Sequence, residues 1–161
     1  MSLQDCSLAD ASGYYSRSIR YAPGMNEPAD PRFLALKAAM MPRDTNPQGT
    51  IFGGVLLSYI DQAGAVGVQH EARIQHWPRL PIVTVGMKSV AFHEPVFVGD
   101  VVSFWTEIER VGRTSITVQV TVETDRDGVL IKLTEAEVTY VAVQIVEGVR
   151  QPVPIRGPDA P

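Results

Sequence analysis

Between Ile51 and His70 a single side chain carries a formal charge at neutral pH, Asp61, set in the middle of an otherwise apolar stretch. Removing a carboxylate from water without a partner is costly, so the placement calls for a reason. At helical spacing its neighbours three and four residues away are Leu57, Ser58, Gly64 and Ala65, none of them a cation. A lone acid in apolar surroundings is a candidate general base or nucleophile. The competing reading is that it caps the amides of another segment or faces a wet groove between subunits. Upstream, Gly53 and Gly54 lack side chains and would let a carbonyl approach the free amides at the start of a helix, where the dipole favours developing negative charge. That arrangement would make an oxyanion hole. The same pair would equally serve a tight turn and close packing.

These groups need a helix to hold them, and the pattern supplies one. Leu56, Ile60, Ala63, Gly64 and Gly67 recur at helical spacing, with Leu57, Val66 and Val68 adding apolar surface elsewhere, so a buried helix is expected from about Gly54 to Ala72. Its glycines cost helix propensity and are tolerable where a sheet or a partner helix must come close. Eight residues of helix separate Gly53 from Asp61, about 12 Å, too far for both to touch one carbonyl. If both act, a second subunit must complete the site, and an isologous dimer with two shared sites follows.

The remaining elements are β. Phe33 to Met41 reads as a short strand, closed by Pro42 and the turn-rich residues 44–50. After the loop around Trp77 to Pro81, strands are expected from Ile82 to Phe92 and from Asp100 to Arg110. Ile116, Val118, Val120 and Val122 alternate with polar residues, the period-two mark of a strand with one covered face. Asp125-Arg126-Asp127-Gly128 then reads as a hairpin turn leading to a strand from Leu130 to Val143. The fold class is α+β, one helix against a curved antiparallel sheet that wraps it. Residues 1–31 read as a partly disordered extension, residues 32–146 as the domain, and residues 147–161, with four prolines and two glycines, as an extended tail held by contacts alone.

Composition sets the outer bounds. A chain of 161 residues, 45% hydrophobic and 20% charged, suits one globular domain. The net charge of -4 and scattered basic residues leave no footprint for nucleic acid. Cys6 is the one cysteine and can form no intrachain disulfide. No apolar run reaches membrane-spanning length and the N-terminus lacks a signal-peptide pattern, so a cytoplasmic protein with no membrane partner is expected. His70, His76 and His93 show no metal-ligand spacing, and neither a P-loop nor a serine elbow is present, so no metal or cofactor is implied.

Several stretches together carry a family resemblance. Residues 41–61, MPRDTNPQGTIFGGVLLSYID, followed by AGAVG, resemble the acyl-CoA thioesterases of the YciA and cytosolic acyl-CoA hydrolase type, members of the hot-dog superfamily. The likeness continues through residues 83–102, where Phe92, Pro95, Gly99 and Asp100 stand in the family's places, and through residues 111–122 and 135–143; residues 1–31 lie outside it. The resemblance implies a hot-dog fold and hydrolysis of an acyl-CoA thioester by Asp61. It further implies polarisation of the carbonyl by the amide of Gly53 or Gly54, and a place for Asn46 in the lining of the site. Family members often form a trimer of dimers, and the resemblance leans toward that hexamer. Thr50, where relatives often carry Asp or Asn, and His93, where some carry Lys, depart from the pattern.

Coenzyme A brings phosphate charges that an acidic protein must meet locally. Arg113, Thr114 and Ser115 resemble the family's phosphate-contacting turn and offer a guanidinium and hydroxyls. Lys88 and Arg150 are further candidates, each of which could equally be a solvated charge. Asp100 after Gly99 reads as a turn residue. Asp61 would act as general base or by attack to give a mixed anhydride, and a thiolate leaves without needing an acid. Two rivals stand beside this reading: a hot-dog dehydratase or hydratase, for which the helix offers only His70 at its far end, and a non-catalytic acyl-CoA sensor.

Overall fold

The computed structural model describes residues 30–157. Strand β1 (Phe33–Ala39) leads through a short 3-10 turn (Pro42–Asp44) into helix α1 (Gly53–Ile74), after which the chain is β to its end: β2 (Ile82–Phe92), β3 (Val101–Val111), β4 (Ser115–Arg126), β5 (Val129–Val146) and β6 (Val149–Pro152). All pairings are antiparallel, in the order β1-β3-β4-β5-β2, with β6 on the far end of β5. This is the expected α+β architecture, one long helix against one antiparallel sheet. Among the described residues no helix is long and apolar enough to cross a membrane. The extension expected over residues 1–31 lies, except for Asp30 and Pro31, outside the described residues, as does Cys6.

The alternation read in β4 sets the core. Ile116, Val118, Val120 and Val122 are fully buried, and on the neighbouring β5 Ala136, Val138, Tyr140 and Ala142 line the same face. Helix α1 covers this face with the stripe Leu56, Ile60, Ala63, Gly64, Gly67 and Val68. The opposite stripe, Ser58, Gln62, Val66, Gln69 and Arg73, is exposed in the single chain, so the helix is covered on one side rather than all round. A single sheet has only one face to offer it.

The helix glycines mark where it touches the sheet. A methyl group on Gly64 would lie 2.2 Å from the Tyr140 hydroxyl oxygen, and one on Gly67 would lie 2.6 Å from Thr106 Oγ1. The space left at Gly64 lets Tyr140 donate a hydrogen bond to the backbone carbonyl of Asp61 at 2.6 Å. Burial first, and the negative charge of Asp61 second, push the Tyr140 phenol above its ordinary pKa, so it stays a donor.

The chain's turns were legible in one case and missed in another. Asp127 and Gly128 both adopt positive φ, 55° and 82°, as a two-residue hairpin loop requires. Glu147 and Gly148 repeat the device with φ of 50° and 80°, and β6 folds back on β5 through Val146–Val149. The tail expected over residues 147–161 to lack regular structure therefore begins as a hairpin arm, with residues 158–161 outside the described ones, and the sheet runs past residue 146. Beyond it Ile155 is 3% exposed and donates its amide to the carbonyl of Arg113. The missed signal was Glu-Gly between two valine-rich runs, masked by the prolines that follow.

The loop between β2 and β3 is pinned by Asp100, whose carboxylate accepts from the Phe97 amide at 2.9 Å and from Arg126 at 2.6 Å, while Gly99 takes a φ of 92°. Arg126 also donates to the Pro95 carbonyl at 2.7 Å and stacks over Phe97. The expected turn role of Asp100 thus holds. The Arg126 guanidinium, helped by the Phe97 amide and opposed by burial, holds the Asp100 carboxyl below its usual range.

Two predictions arise from this packing. Gly64→Ala forces a methyl into the Tyr140 hydroxyl, and overpacking of this kind costs about 1–3 kcal/mol. Urea unfolding should show a lower midpoint at unchanged m, against a change within about 0.5 kcal/mol for Gln62→Ala on the exposed face. An unmoved midpoint for Gly64→Ala would mean that helix and sheet do not meet there. Asp100 has a depressed folded pKa, so its contribution is complete above the ordinary carboxyl value of about 3.9 and is lost as pH falls through the folded value. The stability gap between wild type and Asp100→Asn should be widest near neutrality and close in acid; a gap constant across that range would contradict a role for the charge.

Candidate active site

Asp61 stands where α1 meets the edge of the sheet. It follows the buried Ile60 and precedes the exposed Gln62, so its carboxylate lies half-buried at the border of the two stripes. Thr84 of β2 donates a hydrogen bond to its Oδ1 at 2.6 Å. Together with Tyr140 on its backbone carbonyl, this fixes Asp61 from two strands of its own sheet. No described cation forms an ion pair with it. Thr84 and Tyr140 were not singled out in the sequence. Neither carries a motif, and only the folding of β2 and β5 against the helix brings them to Asp61.

Gly53 and Gly54 are the first residues of α1, after Phe52 at the N-cap, which supplies no side-chain hydrogen bond. First-turn amides have no intrahelical acceptor, so they are available to an incoming oxygen. The rings of Phe92 and Phe52 close on them: an added methyl would lie 3.3 Å from Phe92 Cζ at Gly53 and 2.5 Å from Phe52 Cε1 at Gly54. A cavity of about 320 Å³ opens beside Gly53, walled by Thr50, Leu56, Phe92 and the residues 93–96. The Phe52 and Ile51 amides bond to the carbonyls of Asp44 and Val96, which sets the angle at which the chain enters the helix. Asn46 ties the preceding loop: its Oδ1 accepts from the amides of Gln48 and Thr50 and its Nδ2 donates to Thr50 Oγ1 at 2.8 Å. Thr50 is thus Asn46's partner.

Within one chain Gly53 and Asp61 remain eight residues, about 12 Å, apart along the helix. Two surfaces at the site are left open. Strand β2 pairs with β5 on one side and, among the described residues, with no strand on the other. It carries Val85, Val90 and Phe92 exposed. The second surface is the exposed stripe of α1.

The residues expected to meet phosphate scatter. Lys88 pairs with Glu137 at 2.8 Å. Glu137 alternates with the buried Ala136 and Val138, so this pair stands on the sheet face turned away from the helix. Arg150 lies exposed on β6. Arg113, Thr114 and Ser115 form the turn between β3 and β4, whose carbonyls at Arg113 and Thr114 accept from Ile155 and Ala142. His93 contacts Glu135 at 3.0 Å. His70 lies flat on Phe33, ring centroids 3.6 Å apart, nine residues along the helix from Asp61.

The model of the thioesterase superfamily matches residues 48–131. The acyl-CoA thioester hydrolase YciA of Salmonella typhimurium is 36% identical over 129 residues, which cover 77% of this chain and 92% of that one. Among solved structures, a hexameric thioesterase from Yersinia pestis aligns with a TM-score of 0.66 at 35% identity, covering 78% of this chain and 98% of that one. An acyl-CoA hydrolase from Staphylococcus aureus, solved with butyryl coenzyme A, coenzyme A and coenzyme A disulfide, aligns with a TM-score of 0.62 at 26% identity, covering 78% and 74%.

Proposed function

The chain belongs to the thioesterase superfamily, within it to the acyl-CoA thioester hydrolases, and we propose that it splits acyl-CoA into a free carboxylic acid and CoA at a site shared by two subunits. The observation that carries the shared site is the position of Asp61. It is the one charged side chain in the span of α1 from Gly53 to Gln69, it is held by Thr84 on the edge strand of the described sheet, and it lies about 12 Å from the first-turn amides of its own helix. An isologous dimer through the β2 edges brings the Gly53 end of one subunit to Asp61 of the other. Exposed apolar edges invite such pairing, and the Yersinia pestis relative is hexameric. A trimer of such dimers is the assembly this reading favours.

In the proposed reaction the amide of Gly53 or Gly54 from one subunit receives the thioester oxygen. Asp61 of the other either takes a proton from the attacking water or itself adds to the carbonyl carbon, giving a mixed anhydride that water then opens. In both courses the carbon–sulfur bond breaks and CoA leaves as a thiolate. Thr84 orients the carboxylate. Asn46 acts at one remove, by holding the loop that aims the helix start. A dehydratase would need an imidazole near the acid, whereas His70 is stacked on Phe33 at the other end of the helix. The retention of Asp61 argues against a sensor.

Thiol release from a panel of short, medium, long and aromatic acyl-CoAs tests the chemistry. Wild type should hydrolyse at least one class, and Asp61→Asn should bind the same substrate while losing at least about a hundredfold in kcat. A variant that keeps near-wild-type kcat would remove Asp61 from the chemistry.

A further inference from the structure

Tyr140 is 1% exposed and carries a hydroxyl where the core asks only for a ring. A phenylalanine would fill the same space with no polar group to satisfy, and a buried hydroxyl needs a partner. Both partners of this hydroxyl lie on α1. It donates to the Asp61 carbonyl at 2.6 Å and accepts from the Ala65 amide. Those are the two groups that a regular helix joins directly, residue i to residue i−4. The phenol oxygen therefore bridges one rung of the ladder at the residue that bears the carboxylate, and groups inserted in this way bend helices. Gly64, inside the same turn, leaves the room: a methyl there would lie 2.2 Å from the oxygen.

The sheet is built to match. Thr84 and Tyr140 stand opposite each other in the β2–β5 register, so one cross-strand pair holds Asp61 at both ends, the carboxylate through Thr84 and the backbone carbonyl through Tyr140. The register shifts directly afterwards, between Thr84 and Gly86, and the intervening Val85 is exposed. Strict alternation would turn Met87 away from the helix once Thr84 faces it. The bulge keeps both on the helix face, Met87 against the core and Thr84 on Asp61.

We infer that Tyr140 is a positioning residue for the hydrolysis: its hydroxyl, set into α1 between Asp61 and Ala65, fixes the turn of backbone from which the carboxylate reaches the thioester. The inference rests on the acyl-CoA hydrolase reading and adds to it a residue buried out of the substrate's reach. Thr84 turns the carboxylate about its side-chain bonds; Tyr140 decides where that side chain starts.

The test is steady-state thiol release from the acyl-CoA that wild type cleaves best. Tyr140→Phe keeps the ring and removes the hydroxyl, so kcat should fall at least about tenfold, as small misplacements of a reacting group do, with KM within about twofold of wild type. Gly64→Ala, which pushes the hydroxyl away from the other side, should give a similar loss in kcat, and the two changes together should lose little more than either alone, because they break one contact. Val118→Ala is the control: it opens a cavity on the same sheet face and lowers stability, while its kcat should stay within about twofold of wild type. An unchanged kcat for Tyr140→Phe, a loss matched by Val118→Ala, or losses that multiply in the double variant would overturn the assignment. If wild type releases no thiol from any acyl-CoA, the hydrolase reading itself fails and the positioning role falls with it. An active wild type beside an equally active Tyr140→Phe leaves that reading standing and refutes this inference alone.

Discussion

The site depends on how closely α1 can lie on its sheet at Gly64. Any larger side chain there would collide with the Tyr140 hydroxyl, and without that contact the bond from Tyr140 to the Asp61 carbonyl could not form. That bond is short, partly buried and made by a phenol kept protonated by its surroundings. It fixes the turn of helix on which the carboxylate rides, and Thr84 then sets the carboxylate itself. Gly67 against Thr106 repeats the close approach one turn later. The helix accepts glycines that cost it about 1 kcal/mol each relative to alanine because the contact they permit places a charged group at the boundary of an apolar core.

The same close fit leaves the rest of the helix bare. A sheet that grips one stripe cannot cover the other, so among the described residues Val66 and its exposed neighbours look outward, and β2 is the edge strand of the sheet. Both open surfaces border Asp61, and the free amides that would stabilise an oxyanion lie a fixed distance away on the same rigid helix. No rotamer or loop movement shortens 12 Å of helix. In the proposed shared site a second copy of the chain supplies both the missing cover and the missing amides. Incompleteness of the fold and of the chemistry coincide.

Much of this was legible in the sequence because it is periodic or local. The alternation from Ile116 to Val122 gave the core strand, Asp127-Gly128 its hairpin, and the charge-free run from Ile51 to His70 exposed Asp61. What escaped was set by tertiary contact. Thr84 and Tyr140 are ordinary strand residues until the helix arrives. The tail itself was misread because its prolines outweighed the Glu147-Gly148 turn before them. The helix was expected to be buried, but an apolar count does not reveal that its own sheet covers only one stripe.

Subunit complementation tests the shared site most directly. A chain carrying Asp61→Ala and a chain carrying a bulky substitution, Gly53→Val, are prepared separately and then co-expressed. Each alone should be inactive toward acyl-CoA. In a heterodimer one site pairs an intact Asp61 with an intact Gly53, so random mixing should restore about a quarter of wild-type activity. If heterodimers form, verified by two affinity tags, and activity stays absent, then Asp61 and Gly53 serve the reaction within one chain and the site is not shared.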